Sequence, residues 1–228
     1  LSKNVFTNFS KLENNINLWV KNYKKGDTNM KLNLNYVLNR ANYKKYENSG
    51  NVNGNNYNWG YDPHNYFTPE GWYATDAADP YCRIRELREL INECHKAGIG
   101  VLLDVVYNHM AGTQFLDDIV PGYYFRTNAK GGFTSNSGCG NDTATERTMM
   151  KRLVVDSTSH WVKNYKVDGF RFDLMGLMEA SSVVDSYKAC KKINASTLFE
   201  GEGWRMYNGA PGTVGMDQRY MLQTNEVS

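Results

Sequence analysis

Three apolar runs of this chain carry or lead into groups that could do acid–base or nucleophilic chemistry. Residues 99–107 hold Asp104 and lead into Asn108 and His109, residues 169–174 hold Arg171 and Asp173, and residues 197–203 hold Glu200 and Glu202. In the second run, GFRFDL, the alternation of a strand puts Arg171 and Asp173 on one face and Phe170, Phe172 and Leu174 on the other. Charges turned inward at a strand end are costly unless paired, and such a pair could do no more than fix that end. Two carboxyls about 5 to 5.5 Å apart can also cleave a glycosidic bond with retention, one as nucleophile and one as proton donor. Asp173 and one of the glutamates fit those roles. Glu200 and Glu202 share a face, and Glu202, nearer the strand end, is the one expected to reach a cleft. Arg171 should keep Asp173 ionised, while the like charge of Asp173 should help the acid hold its proton.

The elements that must position these groups alternate. Asp79, Pro80 and the spacing of Ile84, Leu87, Ile91 and Cys94 predict a helix ending at Gly98. The near-continuous apolar run 99–107 reads as a parallel strand covered on both faces. A long loop over 110–143 follows, and loops of that length usually have a function. A helix is expected over 143–165, then the 169–174 strand, a helix over 177–193 and a strand over 197–203. Helix and strand in strict alternation mean an α/β fold with a parallel sheet, whose strand ends converge on one rim if it closes into a barrel.

Residues 1–56 are Asn- and Lys-rich and weakly periodic, with a tolerable helix face over 9–23, a strand over 32–38 and a loop over 48–58. They form one region, and residues 57–228 form the other. At 228 residues, 41% hydrophobic and 22% charged, the chain can bury a core, and a net charge of +2 gives no basis for a nucleic-acid or membrane partner. No run is long enough to span a bilayer, and residues 1–10 lack a signal-peptide pattern, which leaves the compartment open because the chain does not start with Met. Cys82, Cys94, Cys139 and Cys190 show no zinc or thioredoxin spacing, and His64, His95 and His160 no metal spacing. Asn108 could offer an oxygen to Ca²⁺, but no oxygen-rich set can be counted, so no cofactor or metal is expected. Trp59, Trp72 and Trp204 read first as packing residues or loop anchors.

DVVYNH (104–109), DGFRFDLMG (168–176) and GEGW (201–204) resemble three of the four signature regions of the α-amylase superfamily of glycoside hydrolases. YNWGYDP (57–63), PEGWY (69–73), VPGYYFR (120–126) and SGCGND (137–142) narrow the resemblance to type I pullulanases over about residues 57–226. It implies a (β/α)₈ barrel enzyme that cuts α-1,6 linkages in pullulan and branched glucans by a retaining double displacement. By motif position it implies Asp173 as nucleophile and Glu202 as general acid/base. Arg171 would hold the nucleophile's charge, Asp104 would brace Arg171, His109 would hydrogen-bond the sugar and Tyr61 would stack on it. The partner implied is an α-glucan, with isoamylase-like or α-1,4 cleavage as variants.

The chain departs from that pattern at its ends. The fourth region, a His-Asp strand end with the third carboxylate, is absent, and the first barrel strand is not recognisable. The sequence therefore reads as an incomplete barrel, about strands two to five, expected to be unstable and inactive without the remainder. A non-catalytic glucan-binding remnant is the alternative.

Overall fold

The computed structural model describes residues 31–33, 60–71, 74–224 and 227. The expected helix over 9–23, the loop over 48–58, Trp59 and Trp72 lie outside the described residues. Contacts divide the chain into two units, Leu1–Trp59 with Thr68–Leu102, and Gly60–Phe67 with Leu103–Ser228.

In the first unit, β1 (Lys31–Asn33) pairs in parallel with β2 (Gly100–Val105), Lys31 opposite Gly100 and Asn33 opposite Leu102. Helix α1 (Cys82–Lys96) buries Leu90, Ile91 and Cys94, spaced three and four residues apart as one helical stripe requires. It starts three residues after the expected cap. Asp79 instead closes a lead-in turn, its side chain accepting from the Tyr81 N–H at 2.9 Å and its carbonyl from the Cys82 N–H at 3.1 Å. Gly98, at φ +76°, ends the helix as expected, and the Ile99 N–H then donates to the Cys94 carbonyl at 2.9 Å.

The second unit holds the last three residues of β2, then α2 (Gln114–Asp117), α3 (Thr148–His160), β3 (Gly169–Phe172), α4 (Ala180–Ile193), β4 (Leu198–Gly201) and α5 (Gln218–Met221). Strands β3 and β4 pair in parallel, with Arg171 opposite Glu200 and Phe172 opposite Gly201. Beyond β2 the ladder continues to Asp173, whose N–H donates to the Val105 carbonyl at 2.9 Å. The strands lie in the sheet in chain order, the parallel arrangement that helix–strand alternation predicts.

Alternation along β3 sorts its side chains. Phe170 and Phe172 are fully buried and meet Phe199 of β4 at ring-centroid distances of 5.3 and 5.1 Å. Helices α3 and α4 pack against each other. Arg171 and Asp173 face the other way, toward the site. Helix α3 begins at Thr148 rather than 143, because Arg147 before it is extended at φ −86°, ψ 138°, and Thr143 and Ala144 lie in a loop whose N–H groups donate to the carbonyls of Asn108 and Tyr124. Its far end widens into a π turn, Trp161–Tyr165. Among the described residues no helix is long and apolar enough to cross a membrane.

Candidate active site

Arg171 is the hub of the site. Its Nη1 donates to Asp104 Oδ1 at 2.9 Å and to Asp173 Oδ1 at 3.2 Å, and its Nη2 lies 2.5 Å from Glu202 Oε1. One planar fork thus touches a carboxylate from each of the three strand ends that the sequence singles out. The Asp104 side chain is the most buried of the four groups at 5% exposure, and that of Glu202 the least at 33%. Asp104 Oδ2 accepts from the Tyr61 hydroxyl at 3.2 Å. Burial, and then the charge of Asp104, push the Tyr61 pKa up to about 12, so the phenol keeps the proton it donates.

Two further contacts orient Asp173. The Asn108 amide nitrogen donates to its carbonyl at 2.8 Å and to Oδ2 at 3.1 Å. Asn108 Oδ1 in turn faces His109 Nδ1 at 2.6 Å, so the His109 ring is tied to the nucleophile candidate through one amide. The Asp173 pKa is raised above the ordinary aspartate value of 3.8. Burial is the main cause and the charge of Glu202 adds to it, against the lowering effects of the Asn108 hydrogen bond and of Arg171. Arg171 favours the ionised form as expected, but burial and the charge of Glu202 outweigh it. A cation shared among three carboxylates does not offset the desolvation of one of them.

Glu202 is placed by backbone. Its N–H donates to the Phe172 carbonyl at 3.0 Å, its carbonyl accepts from the Gly176 N–H at 2.9 Å, and its Oε2 accepts from the Leu174 N–H at 3.1 Å. That last donor is aimed by Leu174 itself, held at φ +42°, a left-handed conformation that costs a non-glycine residue about 1 to 3 kcal/mol and is characteristic of functional sites. Glu200, the rival glutamate, is exposed.

The structure therefore gathers Tyr61, Asp104, Arg171, Asp173 and Glu202 into one connected set and joins His109 to it through Asn108. Two carboxyls held on one guanidinium can serve as nucleophile and proton donor. Trp204 is 63% exposed, which sets aside the packing half of its reading as a packing residue or loop anchor.

Sequence reasoning missed the scaffold of the long loop. Asp142 accepts from the N–H groups of Asn136 and Ser137 at 2.8 and 2.9 Å, from Thr134 Oγ1 at 2.7 Å and from Asn208 Nδ2 at 2.8 Å. Buried Arg126 donates to Glu146, to the Leu177 carbonyl at 2.9 Å and to Asn208 Oδ1 at 2.8 Å, with the Tyr207 ring 4.6 Å from its guanidinium carbon. Both anchors fall in stretches the sequence marks, VPGYYFR and SGCGND, but nothing in their spacing shows that they meet at Asn208.

No protein-family model matches the chain. It is 46% identical over 175 residues to Pullulanase A of Streptococcus pneumoniae, a match covering 76% of this chain and 14% of that protein. It is 40% identical over 157 residues to the pullulanase of Bacillus subtilis, covering 68% of this chain and 22% of that one. Among solved structures, the Group B Streptococcus pullulanase SAP in complex with maltotetraose superposes with a TM-score of 0.72 at 44% identity, covering 76% of this chain and 23% of the other. The chain thus spans less than a quarter of the length of these curated relatives. Its parallel strands and crossover helices are consistent with part of a barrel, and the chain is homologous, over about three quarters of its length, to part of the pullulanases.

Proposed function

We propose that this chain supplies the catalytic half of a starch-debranching glycoside hydrolase that cleaves α-1,6-glucosidic bonds in pullulan and branched glucans. In this reading the chain corresponds to about strands two to five of a (β/α)₈ barrel. The observation that carries it is the Arg171 fork, which holds Asp104, Asp173 and Glu202 together on one side of the sheet. Asp173 attacks the anomeric carbon while Glu202 protonates the leaving oxygen, and the roles reverse when water releases the glycosyl intermediate. Arg171 and Asn108 aim the nucleophile, Asp104 braces Arg171, and Tyr61 presents its ring to the sugar while its hydroxyl is tied to Asp104. An oxocarbenium-like transition state is cationic, and the surrounding carboxylates favour it. The substrate class draws support from the maltotetraose bound by the streptococcal relative.

The test joins this chain to the remaining strands of a pullulanase barrel and follows pullulan hydrolysis. Glu202→Gln should lower kcat by roughly a hundred- to ten-thousandfold, and Asp173→Asn should stop turnover. Hydrolysis that survives both substitutions would refute the assignment.

A further inference from the structure

The imidazole of His109 is 2% exposed, and one side of it is fixed. Because the Asn108 amide nitrogen donates to Asp173, the amide oxygen faces His109 Nδ1, and Nδ1 must carry the hydrogen of that 2.6 Å contact. A neutral ring is then left with a bare lone pair on Nε2, which is buried and has no hydrogen-bond partner. The nearest charge it faces, Asp62 Oδ1 at 3.5 Å, is another electron-pair donor. Cys139 is a third, and the ligand atoms of Asp62, His109 and Cys139 all lie within 4.8 Å of one another. Three donors converging with no acceptor between them suit an electron-poor centre.

We propose that Asp62, His109 and Cys139 form a binding site for a soft divalent cation of the zinc type. One oxygen, one nitrogen and one sulfur with a fourth position left for water is a tetrahedral zinc set. Thiolate and imidazole argue against calcium or magnesium, which take oxygen ligands. Zinc bond lengths near 2.0 to 2.3 Å place tetrahedral ligand atoms about 3.3 to 3.7 Å apart, so closure from separations within 4.8 Å needs about 1 Å of movement at most. Asp62 and Cys139 are exposed loop residues able to make it, while His109 is the fixed partner. Binding exchanges the thiol proton for the metal and releases it to solvent, and the carboxylate and thiolate together balance the cation's charge. If the glycosidase reading holds, a bound cation also occupies the nitrogen meant for sugar, but the site itself does not depend on that reading.

The experiment titrates the chain, joined to the remaining strands of a barrel, with Zn²⁺ alone and with Co²⁺ alone. One equivalent of Co²⁺ should give a thiolate-to-cobalt charge-transfer absorption that is lost in Cys139→Ser and in urea, and kept in Cys82→Ser and Cys190→Ser. Zinc affinity should fall about a hundredfold or more in Cys139→Ser, and also in Asp62→Ala, a change at an exposed position. Absence of the band in the parent chain, its survival in Cys139→Ser or in urea, or unchanged zinc affinity in both variants would overturn the site.

Discussion

Replacing Gly176 with alanine should do more damage than its single methyl suggests. Gly176 lies in the short turn Met175–Leu177 that follows β3, and its N–H holds the Glu202 carbonyl. A Cβ at this position would stand 1.8 Å from the Trp204 carbonyl oxygen and 2.8 Å from its carbon, where real contacts essentially never fall below 3.0 Å. Something must retreat by about 1.2 Å, and the obstacle is backbone rather than the end of a flexible side chain. Because that backbone starts two residues after Glu202, the carboxyl moves with it. Overpacking of this kind costs about 1 to 3 kcal/mol, and a misplacement near 1 Å costs on the order of a hundredfold in rate. In the completed barrel, urea unfolding measures the first and kcat on pullulan the second. Gly98→Ala is the control, since a Cβ there meets nothing within 4 Å but sits at φ +76°. It should cost about 1 to 2 kcal/mol of left-handed strain and leave kcat untouched. Parent-like stability and rate in Gly176→Ala would refute the claim that this close approach positions Glu202.

Two buried aspartates should titrate with opposite consequences. The raised pKa of Asp173 means the folded state favours its proton, so its stabilising contribution is present below the ordinary value of 3.8 and lost as pH rises through the raised one. Asp173→Asn should therefore be more stable than the parent at neutral pH and gain nothing in acid below 3.8, and a gain independent of pH in urea unfolding would contradict this. At Asp142 burial disfavours the charge, but the hydrogen bonds from Ser137, Asn136, Thr134 and Asn208 outweigh it and lower the pKa. Its contribution is present above 3.8 and lost as pH falls through the lowered value, so Asp142→Asn should cost about 1 to 3 kcal/mol at neutral pH and little in strong acid. An equal cost at both would show that the loop does not depend on the charge.

Much of the site was legible because strands have a period of two. Alternation alone turned Arg171 and Asp173 away from Phe170 and Phe172, and position on the shared face separated Glu202 from exposed Glu200. Where reading failed, nonlocal partners had taken over. The start of α3 moved because the residues before it are held as a loop, with Thr143 and Ala144 bonded to Asn108 and Tyr124 and Arg147 extended. The effect of Arg171 on Asp173 was legible, but the burial that outweighs it was not, because no spacing shows how deeply a side chain is covered. Asp62, His109 and Cys139 come from three separate loops, so no spacing rule could join them. Trp204 read as a packing residue or loop anchor because tryptophan usually is one, yet the residue is largely exposed.

The π turn after α3 sets a dimension of the cleft from a distance. Trp161, the first residue of that turn, donates its indole N–H to the Tyr66 carbonyl at 2.9 Å, and Ser157, one turn earlier, donates to the same oxygen at 2.5 Å. Both bonds pin the segment that carries Tyr61. Deleting one residue ahead of Trp161 in that helix would swing the indole about 100° around the axis. The clamp would open and the phenol would lose its anchorage with every catalytic side chain still in place. Helix phase is thus a specification of the site, written in residue count rather than residue type.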